Sequence, residues 1–169
     1  MSSIFRRIRK YIRRKEERMG KVDWASSPPI LIAHGDIVDD SRWRIACIPM
    51  MQNAESIKVQ NKIRERFPEV AAKMDKAGDI IPVRLPDKRL VIMMRIKWDE
   101  KQKGVSLDSF DTILSKIAFV LQYKPDDKLV CFPGSAAFGN PENWKDVRNM
   151  IRAWAPSVPQ PVWLLQETL

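Results

Sequence analysis

Residues 132–144 read FPGSAAFGNPENW, an apolar stretch that passes through small residues into a helical pattern. Gly134, Ser135, Ala136, Ala137 and Gly139 let backbone N–H groups approach an anion beside a helix N-terminus, which is the chemistry of a phosphate cradle. The same residues also suit a short strand-to-helix connection whose glycines supply the backbone angles. Asn140, directly before Pro141, has the side chain of an N-cap. Other site chemistries are sparse. His34 is the single histidine, so a His cluster is excluded, and no nucleophile motif accompanies it. Cys47 and Cys131 lie in apolar runs without metal-ligand or CxxC spacing, which argues against a zinc site and a disulfide framework. No metal and no cofactor is expected.

The charge is concentrated. The 169 residues carry a net +9, yet residues 1–21 hold nine basic residues against Glu16 and Glu17, a net of +7, and the remainder holds only +2. Ile4, Ile8 and Ile12 recur every four residues in this arm, flanked by Phe5 and Tyr11 and surrounded by Arg6, Arg7, Arg9, Lys10, Arg13 and Arg14. That is a basic amphipathic helix pattern. It fits a contact with the RNA or DNA backbone, an anionic membrane surface, or a helix docked on the domain by its narrow apolar stripe. Gly20 and the linker DWASSPP separate the arm from the rest of the chain, which predicts an arm over 1–27 and a domain over 28–169. No apolar run approaches the roughly 20 residues that span a bilayer, and no signal core is present. The expectation is an intracellular protein, cytoplasmic or nuclear, that is neither secreted nor membrane-spanning.

The elements that must position these residues alternate. Short apolar runs bounded by turn residues predict strands near 30–36, 43–48, 80–84, 89–96, 128–132 and 161–165. Helical spacing links Ile63, Phe67, Val70 and Met74, with a break at Pro68 and a stop at Gly78. Ser106 opens a second helix with Leu107, Phe110, Leu114, Ile117 and Leu121 on one face, and Trp144, Val147, Met150 or Ile151, and Trp154 mark a third. Such alternation predicts an α/β fold with helices on both faces of a largely parallel sheet. Ligands of these sheets gather at the carboxyl ends of the strands, where residues 133–140 and Lys97 should fall.

The order of pieces resembles the macrodomain family, nearest to small ADP-ribose glycohydrolases, over roughly residues 30–166. The likeness rests on HGDI after the first strand, NKIRERFPEV after the second, a strand ending in a lysine (VIMMRIK), SLDSFDTILSKI, and the closing strand, loop and NWKDVRNMI. It implies a three-layer α/β/α domain around a mixed sheet of about six strands. It also implies that Asp36 receives the adenine amino group of ADP-ribose beside the Ile37 N–H. The remaining contacts would come from Asn53 and Ser56 in one loop and Gly134, Ser135, Ala136, Gly139 and Asn140 in the other. Lys97 occupies the position of a lysine that carries ADP-ribosyl chemistry in such enzymes, and Asn140 that of an aspartate.

The departures bear on activity. In QNAESIK, Ala54, Glu55 and Ser56 stand where the family has glycines, and Glu55 brings a carboxylate toward a diphosphate. In the second loop bulky Phe138 is added, and Asn140 lacks the acid–base capacity of a carboxylate. Three readings stay open: a weak, non-catalytic ADP-ribose or nucleotide binder; a fold reused for RNA binding or for virion or other assembly; and a hydrolase using Lys97 with an unrecognised acid. Trp24, Trp43 and Trp98 are each divided between core and a stacking surface for a base.

Overall fold

The computed structural model describes residues 30–166; the basic arm and Trp24 lie outside the described residues. Six strands form the main sheet: β1 (Ile30–His34), β2 (Ile45–Pro49), β3 (Ile80–Arg84), β4 (Leu90–Met94), β7 (Val130–Phe132) and β8 (Val162–Gln166). Their order is β1-β8-β7-β2-β4-β3. All neighbours run parallel except β3, which returns antiparallel to β4 through the turn at Pro86 and Asp87. An antiparallel pair needs only a tight turn, whereas each parallel pair needs a crossover. β3 forms an edge, which is where Pro82, lacking an N–H, is tolerated.

The predicted strands are all present, with several boundaries moved. β1 ends at His34, so Gly35, Asp36 and Ile37 belong to the turn after it, β2 starts at Ile45 rather than at residue 43, β4 ends at Met94 rather than at residue 96, and β7 starts at Val130 rather than at residue 128. The helices are α1 (Ala54–Arg66), α2 (Pro68–Ala71), α3 (Leu107–Leu121) and α4 (Trp144–Trp154). Pro68 breaks α1 from α2 as expected, and the second piece is shorter than its pattern, ending at Ala71 rather than near Gly78. The Ser106 side chain accepts from the Ser109 N–H and caps α3. A small hairpin, β5 (Trp98–Asp99) with β6 (Gly104–Val105), has no sequence signature because two-residue strands carry no readable alternation.

Alternating residues of each central strand serve two cores. Ile45 and Cys47 of β2, with Leu90, Ile92 and Met94 of β4, face Phe110, Leu114, Ile117, Val147 and Ile151 of α3 and α4. Ala46, Ile48, Val91 and Met93 face Ile63, Phe67 and Val70 on the other side. The result is the three-layer arrangement. Trp43 is buried in this second core, donates its indole N–H to the Ile37 carbonyl at 2.8 Å, and meets Phe67 edge-on; it is not a stacking surface. Among the described residues, no helix is long and apolar enough to cross a membrane.

Candidate functional site

Parallel strands deliver their carboxyl ends to one end of the sheet, and the loops after β1, β2 and β7 converge there. Asn53 makes the junction. As the N-cap of α1 it accepts from the Ser56 N–H at 3.1 Å through Oδ1, while its Nδ2 donates to the Gly139 carbonyl at 3.5 Å. Loops 49–56 and 133–140 therefore meet on one edge, as expected.

Gly139 has φ +85, and a Cβ built there would lie 1.8 Å from Asn53 Nδ2. Its glycine character is needed to seat the loop against Asn53. Phe138 does not crowd the loop's surface, contrary to the expectation from its bulk. It is fully buried, edge-on to Phe110 at 5.6 Å and tilted against Trp144 at 5.4 Å, because the tight 3-10 turn Ser135–Phe138 swings it into the core. Ala137 is buried with it, while Ser135 and Ala136 are half-buried.

Asn140 corrects the sequence reading. It adopts φ +47 and is exposed, and α4 begins only at Trp144, with Asn143 at the capping position. The Ser135 hydroxyl donates to Asn140 Oδ1 at 3.3 Å, which ties the two ends of the small-residue turn. Asn143 uses its side chain elsewhere. Its Oδ1 accepts from the Val105 N–H at 2.9 Å and its Nδ2 donates to the Val105 carbonyl at 2.8 Å, so it pins the β5–β6 hairpin. No local signal separates Asn143 from the other polar residues of the stretch.

Ser56 is the second correction. It is fully buried, and its hydroxyl accepts from the Met51 N–H at 3.2 Å and from Gln60 Nε2 at 3.0 Å. It supports the loop from beneath and presents no side chain to a ligand. Glu55 is exposed in the first turn of α1. A carboxylate there gains from the helix dipole and takes the electrostatic place that an anionic ligand would use.

Asp36, Ile37 and Gly134 come together. They line one cavity with Gly35, Pro133 and Ala137, and its volume is about 20 Å³, about enough for one water. One Asp36 oxygen accepts from the Val38 N–H at 2.8 Å, an Asx-type turn, and the other lies 3.7 Å from Lys62 Nζ. The turn role read from its strand-end position is thus present, with one oxygen held by backbone and the other toward an exposed lysine.

Lys97 is not part of this cluster. It lies three residues beyond β4 and lines a separate depression with Asp79, Ser106, Asp108, Ser109 and Thr112. The carboxylate of Asp79 is engaged there by Lys116, whose hydrogen bond and charge hold its carboxyl below the usual range. The groove that does adjoin the loop junction is lined by Gln52, Asn53, Trp98 and Glu100. Trp98, half-buried against the core, fits the stacking alternative better than Trp43 does. Glu100 has no sequence signal: nothing in its neighbourhood, DEKQK, distinguishes it from a solvated charge.

No protein-family model matches the chain, and no curated protein matches its sequence. Solved structures do. The macrodomain of Thermus aquaticus DarG superposes with a TM-score of 0.57 at 12% identity, covering 80% of this chain and 97% of that one. The macrodomain of Mycobacterium tuberculosis DarG gives 0.54 at 17%, covering 79% and 97%. An alphavirus P23pro-zbd structure gives 0.60 at 13%, covering 87% of this chain but 22% of that one, so the chain spans about a fifth of its length. Likeness at this level of identity carries architecture, and together with the sheet order and the two converging loops it identifies the chain as a divergent example of the macrodomain fold.

Proposed function

We propose that the chain is a non-catalytic macrodomain-type module that binds ADP-ribose or a related nucleotide weakly at the carboxyl ends of its strands, with a basic arm that contacts nucleic acid. The carrying observation is that Asp36, Ile37 and Gly134 line one cavity there, beside the junction of loops 49–56 and 133–140. Open α/β sheets bind ligands at this position. Asp36 accepts the exocyclic amine of a base, and the opening N–H groups of the turn after Gly134, which lack intrahelical partners, face the phosphates.

Weak affinity follows from three features. The cavity must widen from about 20 Å³ before a base enters. Asp36 must exchange its contact with Lys62. Glu55 faces a diphosphate with like charge, about 1 kcal/mol at 4 Å in water and more in a cleft. The absence of chemistry follows from Asn140, an amide with no acid–base capacity, and from Lys97, which lines a different depression. For the arm, Arg6, Arg7, Arg9, Lys10, Arg13 and Arg14 supply the phosphate contacts.

Calorimetric titration with ADP-ribose tests the cleft. The expected Kd is on the order of tens of micromolar or weaker, about −6 kcal/mol, and Asp36→Ala removes it. No binding at millimolar ligand overturns the nucleotide reading. Robust release of ADP-ribose from a modified protein, abolished by Lys97→Ala, overturns the non-catalytic one. For the arm, replacing these six of its nine basic residues with Gln in the full chain should remove most RNA or DNA affinity, whereas preferential partitioning onto anionic vesicles transfers the arm to a membrane.

A further inference from the structure

The opposite end of the sheet is built from different material. Because β1, β8, β7, β2 and β4 are parallel, all five begin at one end, and antiparallel β3 finishes there. Arg44 precedes β2, Arg84 closes β3, and Lys88 and Arg89 form the turn into β4. The register makes these neighbours: the Leu90 N–H donates to the Arg44 carbonyl at 2.9 Å, Arg84 pairs with Leu90, and the Leu85 N–H donates to the Arg89 carbonyl at 2.8 Å. Four cations thus share a short edge with Asp87, a net of +3. Residues 22–169 total +2, so the rest of the body is −1.

One of the four is fixed in place. Arg89 pairs with Asp87 at 2.8 Å and lies 4.3 Å over Trp43. The others are exposed. Arg44 donates to the carbonyls of Ser41 and Trp43, and Arg84 to that of Lys88, bonds that orient a guanidinium without neutralising it. Lys88 stands at φ +74 in the turn. The loop before β7 adds Lys128 beside Asp126 and Asp127, so the excess positive charge belongs to the β2–β4–β3 side.

We propose that this edge is a second nucleic-acid backbone contact, remote from the cleft; the inference rests on the nucleic-acid reading of the arm. The described residues begin at Ile30, the first residue of β1, at this same end of the sheet. From β2 to β3 is two strand spacings, about 10 Å, and duplex phosphates recur about every 3.4 Å along a strand, so the edge spans about three of them. Arginines and a lysine held on strand ends and a turn, with no groove to read bases, contact phosphates without sequence preference.

The test is anisotropy of a labelled single-stranded oligouridine with the full chain over a salt series. Arg44→Gln, Arg84→Gln and Lys88→Asn together should lower the slope of log K against log salt by about 2, about 0.7 for each lost contact on a single strand. Neutralising Lys58, Lys101 and Lys145, exposed at the cleft end, should leave the slope unchanged. Saturating oligouridine should not displace ADP-ribose. If the triple variant melts early, Lys88→Asn alone should still lower the slope by about 0.7. The proposal is overturned if the edge and cleft-end variants act equally, or if ADP-ribose and RNA compete. It also fails if the arm variant abolishes binding while the edge variants change nothing, an outcome that leaves the arm reading standing. A wild-type chain that binds no RNA overturns both.

Discussion

Gly139→Ala is expected to destabilise the protein by about 3 kcal/mol, about half of it through one residue 86 positions away. Three costs add. A non-glycine residue in the left-handed region, here φ +85, costs about 1–2 kcal/mol. The new Cβ would lie 1.8 Å from Asn53 Nδ2 and 2.4 Å from its Cγ, so the Asn53 side chain must leave. Its departure removes the cap of α1, about 1 kcal/mol, and a long hydrogen bond to the Gly139 carbonyl worth about 0.5 kcal/mol. For a chain of this length the sum lowers Tm by about 6–12 °C. The mechanism is separable by a double-mutant cycle read by urea denaturation. Asn53→Ala alone should cost about 1 kcal/mol for the cap. In that background the atoms that clash are gone, and Gly139→Ala should cost only its backbone term of about 1–2 kcal/mol. The coupling is therefore about 1 kcal/mol or more. Additivity within about 0.5 kcal/mol, or a single-variant cost below that, would refute the claim that Gly139 exists to seat the loop against Asn53.

Two further outcomes rest on the same geometry. Asn143→Ala strands the buried N–H and carbonyl of Val105, at about 1–3 kcal/mol for each unsatisfied group; it should lower the urea midpoint and loosen the hairpin that carries Trp98, seen as faster amide exchange at Val105. Burial pushes both the Cys47 and Cys131 thiols well above their ordinary range, so thiolate is scarce at pH 8. Both should resist a thiol reagent in the native state and react only on unfolding; rapid native reaction of either would contradict their place in the core.

Local chemistry made much of the architecture legible. The six main strands are short apolar runs between turn residues, Pro68 breaks a helix wherever it falls inside one, and Ser106 caps α3 within three residues of itself. The concentration of +7 in residues 1–21 is likewise a property of composition. These features depend on period and on neighbours a few residues apart, which a linear chain displays. What each residue of the site does was not legible in the same way. Ser56 and Gly139 read as ligand contacts and Phe138 as a bulky intrusion on the loop, yet Ser56 is sealed against Met51 and Gln60, Phe138 faces Phe110, and Gly139 makes room for Asn53. Asn140 and Asn143 are chemically identical three residues apart, and only the position of Val105, 38 residues earlier, separates the buried staple from the exposed turn. The basic edge shares this dependence: Arg44, Arg84 and Lys88 become neighbours only when β2, β4 and β3 pair in that order. Strand order, register and the direction a side chain takes from a tight turn are set by contacts between distant segments. A side chain faces either ligand or core, and the free energy that decides between them comes from packing partners the local sequence does not contain.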